Sequence, residues 1–291
     1  MLDHDLTIAS QQFLVGSSVG TVLGQAVSSV DVILNPKSPD RKLRNAVHDL
    51  RVALRRLNVV AVALAGLLPG KSARKLKRRT RKLRQSAGKL RDIDVQCGVL
   101  VELSQKANGD SVGFDLLLTE LKKRRLKLLR RLQRTLRRRK SRHLWAWIAK
   151  GVVSELDAHD CSAIAFRSLA SAAVNASLIK FRDAQIAAAD GTDEQLHTLR
   201  ISAKRLRYTI ELFDSYGVNV TGCEMRDEAE GWQDTLGHLQ DLVVVMERSQ
   251  RVAAKSKWTK AERLALLQVT HLATQEYFNR RHTLSLPSYV N

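Results

Sequence analysis

Apolar residues recur along most of the chain at the three- and four-residue spacing that is typical of amphipathic α-helices. Residues 40–67 show the pattern well, because their leucines fall on one side of a helical wheel and their basic side chains on the other. Clusters of Pro, Gly and Asn separate the periodic segments. The pattern predicts helices over residues 6–34, 40–67, 71–105, 112–139, 141–156, 162–189, 193–215, 222–254 and 260–281.

No segment shows the alternation of apolar and polar residues between turn residues that marks a strand, so the sequence predicts an all-α fold. An α/β protein with unrecognised strands is the alternative. Asp40 or a neighbour is expected to cap the helix that follows Pro39. The apolar stretch over residues 13–34 contains Gln25 and Asp31, which favours a buried helix over a membrane-spanning one. The N-terminus lacks a basic n-region, so no secretory signal is expected.

Two motifs occur twice at one offset. The pattern H-x-L-R-x-x-x-[RK]-R-L occupies residues 48–57 and again residues 197–206, an offset of 149. The pattern G-x-L-x-D-[IL] occupies residues 88–93 and residues 237–242, with the same offset. A shared offset is the mark of an internal repeat. The sequence therefore predicts one domain over residues 1–291 made of two halves, residues 1–149 and residues 150–291.

The charge of the chain predicts an anionic partner. It has 49 Lys+Arg and 29 Asp+Glu, a formal charge of +20 and a pI near 10.4. The first half holds 32 basic and 11 acidic residues, whereas the second half holds 17 basic and 18 acidic residues. Residues 71–91 contain eleven Lys/Arg and residues 122–142 contain thirteen, with no acid in either run.

These basic runs favour phosphate as the ligand. Like charges one turn apart destabilise a helix, and a bound polyanion relieves that repulsion. Arginine forms forked hydrogen bonds with phosphate, and lysine supplies a point charge. A helical wheel places Arg78, Lys82 and Lys89 on one basic stripe and Arg131 on another. The alternative is that each run is an ordinary solvated face.

Catalytic and metal-binding patterns are missing from the sequence. It has no GxxxxGK[ST], HExxH or GxSxG motif. Asp92 and Asp94 point to different faces of a helix and make no metal pair, whereas the repeated Asp92 and Asp241 are expected to pair with a nearby arginine. Three distant cysteines fit a reducing cytosol. We therefore expect no catalytic residue, no metal and no cofactor.

Four segments resemble, in the same order, the conserved segments of the conserved histidine α-helical domain (CHAD) family: residues 47–57, 90–95, 196–208 and 236–241. The resemblance implies two pseudo-symmetric four-helix bundles with a basic central groove or pore. It also implies binding of inorganic polyphosphate and, in the cytoplasm, association with polyphosphate granules. Relatives fused to a catalytic domain exist, but the chain resembles a stand-alone binding module.

The resemblance also implies candidate ligand contacts. By motif position these are His48, Arg51, Arg55, Arg91, His197, Arg200 and Lys204. The wheel adds Arg78, Lys82, Lys89 and Arg131 to this set. The second half departs from the first, because Gln240 stands at the position of Arg91 and Val243 at that of Asp94. Together with the uneven charge, this predicts a ligand path biased toward the first half.

Two other partners stay open. Nucleic-acid binding through the backbone is the main alternative, although aromatic residues, which stack on bases, make up 5% of the chain and are absent from both basic runs. Attachment to an anionic membrane surface is the second, although the apolar faces of the basic helices are aliphatic and suit a protein core.

Overall fold

The computed structural model describes residues 15–107, 112–158, 163–188 and 191–284. Within these ranges the chain forms helices and no strand, which confirms the all-α prediction. The helices are α1 (Val15–Leu34), α2 (Asp40–Ala63), α3 (Gly70–Lys106), α4 (Val112–Arg137), α5 (Arg139–Trp147), α6 (Ser154–Asp157), α7 (Ala163–Ala187), α8 (Asp193–Asp214), α9 (Arg226–Ala253) and α10 (Lys260–His282).

Most helix boundaries lie within two residues of the predicted ones. Two short 3-10 helices, Ala65–Leu67 and Cys223–Met225, stand at the end of the predicted helix over residues 40–67 and at the start of the one over residues 222–254. A π-helical turn, Ile148–Val153, separates α5 from α6, where one helix over residues 141–156 was expected. Asp40 is the first residue of α2 rather than its cap, and Pro39 before it makes no side-chain capping bond. The predicted helical residues 6–14 and the predicted breaks at residues 108–109 and 190 lie outside the described residues.

Two threonines begin helices of the second half. Thr192 before α8 and Thr259 before α10 each accept a hydrogen bond from the backbone three residues later, and the side chain at that later position bonds back to the threonine. Such capping boxes satisfy backbone donors that a helix leaves unpaired at its start. They fix the first residue of both helices.

The helices pack as two successive sets of four. In the first set α1 contacts α2, α2 contacts α3, and α3 contacts α4. In the second set α7 contacts α8, α8 contacts α9, and α9 contacts α10. The two sets meet through helices that hold the same place in each set: the second helices, α2 and α8, contact each other, as do the third, α3 and α9, and the fourth, α4 and α10. This arrangement places the two copies of each repeated motif opposite one another.

The apolar faces of α2 and α8 form the core, as their periodicity predicts. Leu50, Leu54 and Leu57 of α2 have no exposed surface, and neither do Leu206 and Phe213 of α8. Burying a side chain of this size contributes about 1.5–3 kcal/mol. The opposite, basic faces of both helices are thereby turned away from the core.

The buried row of α4 contains a charged residue. It includes Leu117, Leu129 and the basic residue Arg125, whereas Leu118 and Leu128 are half-buried. The Nε of Arg125 donates to Asp94 Oδ1 at 2.5 Å, and its Nη1 donates to Asp40 Oδ1 at 2.6 Å. Because these carboxylates balance its charge, arginine is tolerated in this buried row.

Ion pairs join the two sets near both ends of α10. Lys106 Nζ lies 2.7 Å from Glu276 Oε1. Glu120 accepts hydrogen bonds from Lys255 and Lys257, which lower the pKa of Glu120 to about 2. None of the helices in the described ranges combines the length and the apolarity that a bilayer crossing requires.

Candidate anion-binding cavity

A cavity of about 840 Å³, here called the central cavity, lies where α2, α3 and α4 of the first set face α8 and α9 of the second. Eleven Lys/Arg and two His line it, against the three carboxylates of Asp92, Glu211 and Asp241. Seven of the eleven Lys/Arg come from the first set and four from the second. The lining is therefore strongly cationic and more so on the side of the first set.

The structure brings nine of the eleven predicted residues together around this cavity. They are His48, Arg51, Arg55, Lys89, Arg91, Arg131, His197, Arg200 and Lys204. Arg78 is exposed on α3 and does not line it. Lys82 lines a smaller recess of about 240 Å³ between α3 and α4, and Lys89 and Arg131 line both.

The fourth residue of each long motif, Arg51 and Arg200, lies beside the glycine of the short motif. A Cβ added at Gly88 would meet Arg51 Nε at 3.6 Å, and one at Gly237 would meet Arg200 Nε at 3.8 Å. The missing side chains leave room for both guanidinium groups against α3 and α9. The two repeated motifs thus act together, since one supplies the arginine and the other the space that it occupies.

The repeated aspartates lie beside the same arginines. Asp92 Oδ1 is 3.7 Å from Arg51 Nη1, as the sequence predicts for this carboxylate. Desolvation in the cavity raises the pKa of Asp92 and of Asp241, and the charges of Arg51 and Arg200, respectively, oppose that rise. Each aspartate offsets part of the charge of its arginine and leaves the cavity cationic.

Arg55 and Lys204 hold equivalent motif positions and face the cavity from opposite sets. Arg55 Nη1 donates to the hydroxyl of Tyr208 at 2.9 Å, and Tyr208 is 4% exposed. Burial lowers the pKa of Lys204 to about 7, and the charges of Arg200, Arg55 and Arg51 add to that effect. Lys204 is therefore a cation whose charge depends on pH near neutrality.

The two motif histidines differ in their surroundings. Desolvation lowers the pKa of His48, and the charge of Arg91 lowers it further. The Nδ1 of His197 lies 3.3 Å from Oε1 of Gln240, which stands where the first copy has Arg91. The exchange of arginine for glutamine gives His197 a neutral hydrogen-bonding partner in place of a cation.

Four further arginines line the cavity outside the predicted set: Arg56, Arg124, Arg207 and Arg248. Arg124 belongs to the basic stripe of residues 122–142, so the helical wheel could have predicted it. Arg207 and Arg248 could not have been predicted from the repeat, because the corresponding positions of the first half hold Asn58 and Val99. The Nε of Arg248 donates to Gln96 Oε1 at 3.3 Å, which ties α9 to α3.

This arrangement is suited to an oxyanion with several charges. Its walls present guanidinium, ammonium and imidazole groups from five helices and few acceptors of their own. In the described part of the chain, no three His, Cys, Asp or Glu side chains lie close enough together to hold a metal ion.

Known proteins resemble the chain in sequence pattern and in fold. The model of the CHAD domain matches residues 38–250. The crystal structure of the CHAD domain from the plant Ricinus communis superposes with a TM-score of 0.71 at 18% identity, covering 94% of this chain and 92% of that one. PptA from Streptomyces chartreusis superposes with a TM-score of 0.64 at 17% identity, covering 94% of this chain and 97% of that one. No curated protein sequence matches the chain.

Proposed function

The chain belongs to the CHAD domain family, and on this premise we propose that it binds inorganic polyphosphate in the central cavity. The observation that carries the proposal is the lining of eleven Lys/Arg against three carboxylates, drawn from both sets of helices. A polymer that offers phosphate oxygens at every unit satisfies forked guanidinium donors on both walls at once.

The lining favours polyphosphate over nucleic acid. Proteins that bind single-stranded DNA or RNA stack its bases on exposed aromatic rings. Among the described residues that line the central cavity, Tyr208 is the one Phe, Tyr or Trp, and it is 4% exposed and bonded to Arg55. The cavity therefore offers hydrogen-bond donors to phosphate but no exposed Phe, Tyr or Trp ring on which a base would stack.

Competition separates the two ligands. Labelled long-chain polyphosphate is bound to the purified protein at about physiological salt, and unlabelled single- or double-stranded DNA is added at equal phosphate equivalents. We expect unlabelled polyphosphate to displace the label and DNA to leave it bound. Equal displacement by DNA would show a general polyanion binder instead.

A double charge reversal tests the site itself. Arg51→Glu with Arg55→Glu is expected to weaken polyphosphate binding by about a hundredfold or more, since hydrogen bonds to charged groups contribute about 1.5–3 kcal/mol each. The matched control is Lys260→Glu with Arg263→Glu, because both residues are exposed on α10 away from the cavity. Similar losses in the two variants would point to diffuse attraction rather than an organised site.

We also propose that binding, without a catalytic step, is the role of this chain, and that it associates with polyphosphate granules in the cytoplasm. Membership of the CHAD family supports this proposal. A fluorescent fusion should form foci that coincide with polyphosphate staining and that disperse when polyphosphate is degraded. Foci that persist after degradation would contradict granule association.

A further inference from the structure

A second cavity of about 710 Å³, here called the lateral cavity, lies beside the central one, between α2 and α3 of the first set and α7 and α8 of the second. Six cations line it, and no carboxylate of the described residues does: Arg55, Lys77, Arg84, Lys180, Lys204 and Arg205. Arg55, Lys204 and Tyr208 line both cavities. The remaining four cations belong to no site described so far.

One wall of the lateral cavity is aliphatic. Val59 and Val62 of α2, Leu169 of α7 and Ile201 of α8 contribute to it, together with alanines of α7. Val62 is 53% exposed and Ile201 is 52% exposed. A surface that combines exposed aliphatic side chains with cations, and no carboxylate among its described residues, differs from the purely polar lining expected for inorganic phosphate alone.

The repeat shows how this lining differs from the corresponding positions of the second half. Val62 stands 149 residues before Glu211, so the two hold corresponding positions of the halves. The Oε2 of Glu211 lies 3.8 Å from Arg56 Nη2, and its Oε1 lies 3.2 Å from Arg207 Nε. The counterpart of Arg56 at the same offset is Arg205. Because valine replaces the glutamate, no carboxylate in the described ranges pairs with Arg205. Val62 thus supplies part of the aliphatic wall, and among the described residues Arg205 has no carboxylate partner.

We propose that the lateral cavity binds a small phosphate monoester that carries a short aliphatic chain. The cations suit a dianionic headgroup, and the aliphatic wall suits an alkyl chain. A nucleotide base is disfavoured, because the ring of Tyr208 is 4% exposed and offers no stacking surface. The volume falls within the range of small-molecule sites, about 300–1,000 Å³. The proposal holds whether or not polyphosphate binds in the central cavity, although the two cavities share Arg55, Lys204 and Tyr208.

Calorimetry with three phosphates tests the ligand class. Hexyl phosphate should bind the full chain at least about tenfold more tightly than inorganic phosphate, because only the ester contacts the aliphatic wall. Adenosine monophosphate should bind no more tightly than inorganic phosphate. Equal affinities for hexyl phosphate and inorganic phosphate, or equal affinities for hexyl phosphate and adenosine monophosphate, would overturn the proposal.

Variants at Val62 test the location. Val62→Glu introduces the acid that the second half has at the corresponding position, so it should pair with Arg205 and weaken hexyl phosphate binding by about tenfold or more. Val62→Leu keeps the wall aliphatic and should bind like the wild type. Leu264→Glu adds the same charge at a residue that is 54% exposed on α10, outside the cavity. Equal weakening by Val62→Glu and Leu264→Glu would place the ligand elsewhere.

The thermal unfolding midpoint of each variant serves as the folding check. Val62 is more than half exposed, so its exchange leaves the packed core untouched and the midpoint should match that of Leu264→Glu. Unchanged hexyl phosphate binding by a folded Val62→Glu variant would contradict the assignment of the wall.

Discussion

Lys204 occupies the motif position that Arg55 occupies in the first copy, but an amine loses its proton far more easily than a guanidinium group. Burial and the charges of Arg200, Arg55 and Arg51 lower the pKa of Lys204 to about 7. A bound polyanion favours the charged amine and therefore raises that pKa. Above about pH 7 the amine of Lys204 is largely unprotonated in the free protein, so it takes up a proton when the polyanion binds.

Polyphosphate affinity should consequently fall as the pH rises from about 7 to 9, by up to tenfold per pH unit for one proton. Desolvation and the charge of Arg91 hold the pKa of His48 below its usual value, so its imidazole is already neutral in the free protein at the start of this range. Calorimetry in buffers of different ionisation enthalpy measures the proton uptake directly.

The control for this pH dependence is Lys204→Arg. It keeps a cation at the position but places its pKa far above the range, so the affinity should stay constant between about pH 7 and 9. A wild-type affinity that is also constant over this range would show that Lys204 does not contact the ligand.

At the level of the helices, Arg125 holds three of them in place. Its guanidinium bonds to Asp94 in α3 and to Asp40 at the start of α2, while Arg125 itself lies in α4. The side chain of Asp94 is 1% exposed and that of Arg125 is 9% exposed. Removing one member of such a buried pair leaves an uncompensated charge in the interior.

Asp94→Ala should therefore lower the free energy of unfolding by about 3 kcal/mol in a denaturant titration. The loss should not be larger, because Arg125 keeps its ion pair with Asp40. Arg44→Met is the control, because it breaks the exposed Asp40–Arg44 pair and should cost less than about 1 kcal/mol. Asp94→Leu with Arg125→Met should recover much of the lost stability, since it removes both charges. A double variant as unstable as Asp94→Ala would mean that the charge is not the cause.

Arg125 also shows where sequence-based prediction stops. Helical periodicity predicted nearly all helix boundaries in the described ranges, because each helix has an apolar face long enough to define its phase. Arg125 stands four residues after Leu121 and four before Leu129, so helical periodicity places it on the apolar face of α4, but periodicity does not identify the carboxylate that balances its charge there. Its partner Asp94 lies 31 residues earlier, so the pair exists only in the tertiary structure.

The same limit applies to the cavity. His48, Arg51, Arg200 and Lys204 were accessible to prediction because a repeat marks positions on equivalent helix faces. Arg207 and Arg248 were not, because each belongs to one half alone and the facing helix decides whether it meets the cavity. Repetition identifies shared features of two halves, whereas individual packing determines the others.

At the scale of the whole molecule, the uneven charge and the packing of the two sets act together. The first half carries 32 basic against 11 acidic residues, and it supplies seven of the eleven Lys/Arg in the central cavity. The second half is nearly neutral, and its helices α8 and α9 close the opposite wall. The excess positive charge thus comes mainly from the first set, whereas helices of both sets form the walls of the cavity.

Long-range attraction and local contacts should respond differently to salt. Counterion release makes polyanion affinity fall linearly with the logarithm of salt concentration, with a slope that grows with the number of neutralised charges. For the wild-type protein we expect a steep slope when polyphosphate binding is measured between about 50 and 500 mM salt. Arg51→Glu with Arg55→Glu should give a shallower slope, because fewer phosphates are neutralised in the cavity. Lys260→Glu with Arg263→Glu should lower the affinity slightly and keep the wild-type slope. If both variants had the wild-type slope, the affinity would arise from the field of the first half, and the cavity would play no part in it.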